Sequence, residues 1–155
     1  MPICAPLESQ IDNEEVKANQ LWLSDKDADL IVEIIKRNKC TKLVLARNDL
    51  ADEAAGKIAE AMASNTSIKF LSLAGNKITD EGGKKLAEML KQNSTLENFF
   101  VCSNQRISKE TQELMVAANK ERPKPMPLNL YGLVVSDEPV ETAKSREAKE
   151  RSRKA

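Results

Sequence analysis

Histidine is absent from this chain, and with it goes the commonest general base and metal ligand. A serine triad, a histidine base or a histidine metal site therefore cannot be assembled within it. Thiols and carboxylates remain. Cys4, Cys40 and Cys102 are the three cysteines. They form no C-x-x-C pair and match no zinc spacing, so reduced, inert thiols are expected. Carboxylates stand at Asp25, Asp27, Asp52, Glu53, Asp80 and Glu81. Paired carboxylates can do acid–base work, but these recur at a regular interval, and capping of helix starts explains that recurrence without catalysis. Gly82-Gly83 lacks the lysine and serine spacing of a phosphate loop. No catalytic residue, cofactor or metal is expected.

The elements that carry these residues repeat. Alternating apolar pairs occur at Val16/Ala18, Leu43/Leu45, Leu71/Leu73, Phe99/Val101 and Leu128/Leu130, in successive steps of 27, 28, 28 and 29 residues. Such alternation is the pattern of a short strand buried on one face. Leu23, Leu50, Ile78 and Ile107 mark where the chain leaves each strand. Eight positions later come Ile31, Ile58 and Leu86 on an amphipathic helix; in the fourth copy Leu114 sits seven later. Asp25, Asp52, Asp80 and Ser108 fall at helix starts, where Asp80 is expected to accept from the first-turn amides of the helix it opens. Asn38, Asn65 and Asn93 fall at helix ends, and Asn93 is expected to be a left-handed C-cap. Asn48 and Asn76 stand where the chain must turn, their amides free to satisfy orphaned backbone groups. A single strand–helix unit cannot bury both apolar faces, and stacked copies can.

The segments Leu43-x-Leu45-x-x-Asn48-x-Leu50, Leu71-x-Leu73-x-x-Asn76-x-Ile78 and Phe99-x-Val101-x-x-Asn104 resemble leucine-rich repeats. The helix starts Asp52-Glu53-Ala54-Ala55-Gly56 and Asp80-Glu81-Gly82-Gly83 are similar to those of the ribonuclease-inhibitor type, the long cytosolic subclass. The resemblance covers roughly 16–133. It implies an α/β solenoid, with a short curved parallel sheet of about four to five strands on the concave side and helices on the convex side. The family includes inhibitors, receptor sensing modules, GTPase-activating proteins and actin-capping proteins, so it constrains fold more than function. The first and last copies lack the asparagine, with Leu21 and Leu133 in its place, as terminal copies often do. One extra residue in Asn104–Ile107 predicts a looser turn there.

In such a sheet the outward residues alternate with the core. The candidate partner-binding set on that face is Lys42, Val44, Arg47, Phe70, Ser72, Asn98, Phe100 and Cys102. Phe70 and Phe100 stand out, because the chain has only five aromatics and an exposed aromatic beside a cation resembles a binding hot spot. The alternative is that the C-terminal strand or tail covers them. Trp22 matches Asp49 and Lys77 in the repeat and should be exposed; it marks a partner site or is covered by the N-terminal segment. Arg47 is the one arginine placed to act on a GTPase.

Acidic and basic residues number 24 each, for a formal net charge of zero, which argues against nucleic acid or a charged membrane surface as partner. No apolar run approaches the ~20 residues of a membrane span, and Met1–Gln10 lacks a signal peptide's pattern. A cytoplasmic monomer with a protein partner is expected. The domain reading is an N-terminal cap at 1–15, the repeat domain at 16–135 with 128–135 as one closing strand, and a charged tail at 136–155, solvated or disordered. The tail's Glu138, Glu141, Glu147 and Glu150 loosely resemble a translocation signal, which keeps a bacterial effector in the host cytosol as an alternative.

Overall fold

A computed structural model of the chain describes residues 6–104, 106–126, 128–130 and 133–135. Cys4 and the charged tail at 136–155 lie outside the described residues. Short strands alternate with helices along the chain: β1 (Glu15–Lys17), α1 (Ala28–Lys36), β2 (Lys42–Val44), α2 (Asp52–Ala63), β3 (Phe70–Ser72), α3 (Asp80–Gln92), β4 (Asn98–Phe100), α4 (Lys109–Lys120), β5 (Leu128–Leu130) and β6 (Leu133–Val135). The strands form one sheet in chain order. The first five run parallel, in a register that places Val16, Leu43, Leu71, Phe99 and Leu128 side by side. The ladder continues past the strand ends, where the Leu45 amide donates to the Ser72 carbonyl at 2.9 Å and the Leu73 amide to Phe100 at 2.7 Å.

The expected closing strand is two strands. Leu130 pairs with Leu133 and β6 runs antiparallel to β5.

Among the described residues, the inward positions from Val16 to Leu128 contribute to one core. Leu43, Leu45, Leu71, Leu73 and Phe99 are fully buried, as are Ile31, Ile58 and Leu86 from the helices. Each such side chain contributes about 1.5–3 kcal/mol of transfer free energy. The fourth helix corrects the sequence reading. Leu114 is exposed, and Met115 is the fully buried residue. Met115 lies eight positions after Ile107, as in the other copies, so the helical period outranks the identity of the leucine.

Three polar ladders tie the rungs together. In the first, Asn48 Nδ2 donates to the Ala18 and Leu45 carbonyls. Asn76 does the same to Leu45 and Leu73, and Asn104 to Leu73 and Val101, all within 2.8–3.0 Å. Their Oδ1 atoms accept from Leu23, Leu50 and Ile78 of the preceding rung. The backbone groups orphaned where each strand turns away are thereby satisfied. In the fourth copy the Ile107 amide donates back to the Asn104 carbonyl at 3.1 Å.

The second ladder runs along the helix ends. Asn65 donates to the Ile35 carbonyl and Asn93 to that of Met62. Asn93 is extended rather than left-handed, with φ −84° and ψ 126°, because its Oδ1 must reach forward to the Thr95 and Leu96 amides. Asn38 does take the left-handed conformation, with φ 53°. The last rung substitutes Arg122, a buried guanidinium that donates to the carbonyls of Leu90, Asn93 and Leu96.

The third ladder corrects the capping expectation. Asp25 and Asp52 cap the helix of the next rung, not their own, whereas α4 is capped by its own Ser108, whose hydroxyl accepts from the Thr111 amide. Asp25 Oδ1 accepts from the Ala51 and Ala54 amides at α2. Asp52 Oδ1 accepts from Thr79 at 2.8 Å and Gly82 at 3.0 Å at α3, while its Oδ2 accepts from the Thr79 hydroxyl at 2.5 Å. Asp80 accepts from the Ser108 amide before α4. At the first helical position the side chain leans across the stack toward its neighbour's free amides, whose dipole favours the same negative charge. Gly82 is required by this geometry, since a Cβ there would lie 2.6 Å from Asp52 Oδ1.

Residues before β1 cover the open sheet edge. A short 3-10 turn at Leu7–Gln10 buries Leu7 in the core. The Gln10 side-chain amide pairs with both the carbonyl and the amide of Lys17, at 2.8 and 2.7 Å. It thus completes the hydrogen bonding that a further strand would supply. Arg37 and Lys39 anchor Asp12 by exposed ion pairs, which draw the Asp12 carboxyl below its ordinary range through the bonds from Lys39 and Arg37.

Candidate functional site

The sheet face opposite the helices is built from the outward residues of β2, β3 and β4. Register sets them in rows across the strands. Lys42, Phe70 and Asn98 form one row, and Val44, Ser72 and Phe100 the next. All but Ser72 are half-buried; Ser72 is buried, between Val44 and Phe100 in its row, and so offers little surface. Phe70 and Phe100 come together diagonally, with ring centroids 5.1 Å apart and planes inclined at 35°. The Lys42 ammonium stands over the Phe70 ring, 4.9 Å from its centroid. Such ring pairs contribute about 0.5–1.5 kcal/mol, and an ammonium on a ring face about 0.5–1 kcal/mol where water has access. The aromatics therefore stabilise each other in part, and together they form a half-buried apolar spot with a cation over one of its rings.

The other predicted residues lie farther along the strands. Cys102 follows β4 and is half-buried with a free thiol. Arg47 is exposed on the rim beyond β2, with φ 58°. Its backbone and Cγ lie against Gly75, where an added Cβ would come within 3.3–3.5 Å of them. Seven of the eight residues thus share the sheet face or its end, while Arg47 stands apart from the aromatic pair. Lys42 was expected beside an aromatic; that its ammonium lies over the ring depends on the side-chain path, which the spacing of residues does not contain.

Trp22 is exposed, at 86% of its free surface, so the N-terminal segment described here does not cover it. Cys40 is buried, and burial pushes its thiol up to about 11. Among the described residues no group of three or more cysteine, aspartate or glutamate side chains gathers where a metal ion could be held. The recurring aspartates are occupied by backbone amides. Among the described residues no helix is long and apolar enough to cross a membrane.

A family described as Leucine Rich repeat matches residues 64–87. That stretch holds β3, the Asn76 turn and the first half of α3, the repeat unit in which the ladders are complete. The fold is that of a leucine-rich repeat protein. Two solved structures share it along nearly the whole repeat chain. One is titled "Leiomodin-1 Actin-Binding Site 2 (ABS2)", with 22% identity, 96% of this chain and 91% of that chain covered, and a TM-score of 0.73. The other is a Caenorhabditis elegans tropomodulin C-terminal domain, with 15% identity, 97% and 95% covered, and a TM-score of 0.63. No curated protein matches the repeat chain in sequence.

Proposed function

We propose that this chain is a non-enzymatic protein-interaction module that binds a protein partner through the outward face of its sheet. The observation that carries the reading is the Phe70–Phe100 pair with the Lys42 ammonium over the Phe70 ring. Two of the chain's few aromatics occupy one spot on a sheet face that, among the described residues, carries no helix. Val44, Asn98 and Cys102 border the pair, Ser72 lies between Val44 and Phe100 in its row, and Arg47 sits at the rim. Rigid strands hold these groups in place, which limits the entropy lost on binding. A cytosolic monomer of the ribonuclease-inhibitor subclass fits the repeat length of 27–29 residues and the free thiols of Cys40 and Cys102.

Monomeric actin is the partner to test first, because a structure of the same fold is titled an actin-binding site. Binding of labelled actin is measured by anisotropy with the parent, Phe70→Ala and Phe100→Ala. Each variant is expected to weaken binding by at least ~1 kcal/mol, since aromatic anchors dominate such contacts; each also gives up the ring pair, so affinity is compared at a temperature where circular dichroism shows parent and variants fully folded. Should actin not bind, cross-linking in the source cytosol with parent and Phe100→Ala identifies another partner. Unchanged affinity in both variants for whichever partner is found would refute the assignment of this face.

A further inference from the structure

β1 is the first strand of the sheet and, among the described residues, pairs with β2 alone. Its backbone groups alternate in direction. The Glu14 carbonyl accepts from the Lys42 amide and the Ala18 amide donates to the Val44 carbonyl, so the even-numbered residues of this segment face β2 and the odd-numbered ones face away. Glu15 and Lys17 therefore aim their amides and carbonyls outward, the arrangement to which a further strand adds. A glutamine side chain stands in that place. Gln10 donates to the Lys17 carbonyl at 2.8 Å and accepts from the Lys17 amide at 2.7 Å. These are the two bonds that an opposing residue of an antiparallel strand would make. The turn that carries Gln10 is held otherwise by Leu7 in the core and, two residues on, by the exposed Asp12 ion pairs, which contribute little.

The side chains of β1 say which strand would fit. Glu15 and Lys17 are both exposed on the outward face, with Val16 buried between them. Across this edge only odd-numbered residues can exchange hydrogen bonds. In an antiparallel pairing of two β1 strands centred on Val16, Glu15 stands opposite Lys17 of the second copy, and Lys17 opposite its Glu15. Opposite charges in such cross-strand pairs attract, whereas pairings centred on Glu15 or on Lys17 set like charges against each other. The strand is thus complementary in charge to itself in one register, and that register also satisfies the backbone.

We infer that the β1 edge is a self-association site for a second copy of this chain, kept closed by the Leu7–Gln10 turn with Gln10 as its latch. When the turn lifts, two sheets join edge to edge through antiparallel β1 strands, with a Glu15–Lys17 pair in each direction. A two-fold axis through Val16 relates the copies, so each uses up the edge the other needs and a closed dimer results, not a fibre. This site lies on the sheet edge. It goes beyond the sheet-face reading and does not rest on it.

The test uses the full chain, with Gln10→Ala to release the latch and Leu7→Ala/Gln10→Ala to release the turn as well. Circular dichroism establishes that each is folded; if the double variant is not, Gln10→Ala decides alone. In sedimentation velocity over a concentration series, Gln10→Ala should dimerise about tenfold or more tightly than the parent, because the closed state loses two hydrogen bonds and the open state loses none. Amide hydrogen exchange locates the contact. The Lys17 amide, protected in the parent, should lose protection in dilute Gln10→Ala and regain it as concentration rises. Added to Gln10→Ala, Glu15→Lys should abolish the dimer, and Glu15→Lys with Lys17→Glu should restore it. Phe70→Ala and Phe100→Ala should leave it unchanged. The inference is overturned if Gln10→Ala associates no more than the parent, or if its Lys17 amide stays protected when dilute. It is equally overturned if Glu15→Lys leaves the dimer intact, or if the charge exchange does not restore it.

Discussion

Replacing Asp52 by alanine should unfasten the helix of a neighbouring rung, not the helix that Asp52 begins. Its carboxylate meets two α3 amides and the Thr79 hydroxyl. Thr79, the residue before α3, provides no side-chain cap of its own, and Ala51 before α2 has no side chain able to do so. Loss of an N-cap costs about 0.5–2 kcal/mol. A hydrogen bond to a charged group contributes about 1.5–3 kcal/mol, though Asp52 is only half-buried and water replaces part of what is lost. The combined loss is therefore about 2 kcal/mol, or roughly 4–8 °C in Tm for a chain of this size. Urea unfolding measures the total, and amide hydrogen exchange assigns it to a helix. Thr79, Gly82 and their neighbours at the start of α3 are expected to lose protection, while Ala54 in α2, capped by Asp25, keeps its own.

The pH dependence has a definite sign. Burial raises the Asp52 carboxyl, but the bonds from Thr79 and Gly82, with Lys85 nearby, more than reverse this and leave its pKa below the ordinary value. A depressed folded pKa contributes stability that is whole above the unfolded value of about 3.9. That contribution is lost as pH falls through the folded value. The stability gap between parent and Asp52→Ala should narrow below about pH 4. Protection lost at α2 in place of α3, or a gap that widens in acid, would refute capping across the rungs.

The period of the fourth helix is tested by two substitutions side by side. Met115→Ala should cost about 2–5 kcal/mol, as for any emptied core site, whereas the exposed Leu114→Ala stays within about 0.5 kcal/mol by urea unfolding. Arg122→Ala leaves the carbonyls of Leu90, Asn93 and Leu96 without their donor and should cost about 2–4 kcal/mol. Arg122→Lys should recover only part of this, because one ammonium cannot span the three acceptors that the planar fork reaches. In a thiol-titration assay near neutral pH, Cys40 should react only on unfolding, since its buried thiol titrates at about 11; rapid labelling of native Cys40 would contradict its burial.

The chain's linear order was enough to determine the strand–helix alternation, the parallel sheet and nearly all of the core. Those features follow from a local rule applied repeatedly: alternation buries one strand face, and the 3.6-residue period buries one helix stripe. Even the exception obeys it, since Met115 keeps the interval that Leu114 breaks. The turn asparagines were legible for the same reason, because a chain leaving a sheet must satisfy its backbone groups locally. Which rung a side chain serves was not legible. Asp52 and Asp80 look like caps of the helices they open, and only the stacking distance between rungs sends them to the next one. The same holds for the Phe70–Phe100 contact and the buried Arg122, both of which join residues about one repeat apart. Periodicity describes a single unit, whereas these contacts arise from the offset between units. That offset is set by how two helices and two strands pack, so it exists only in the folded stack.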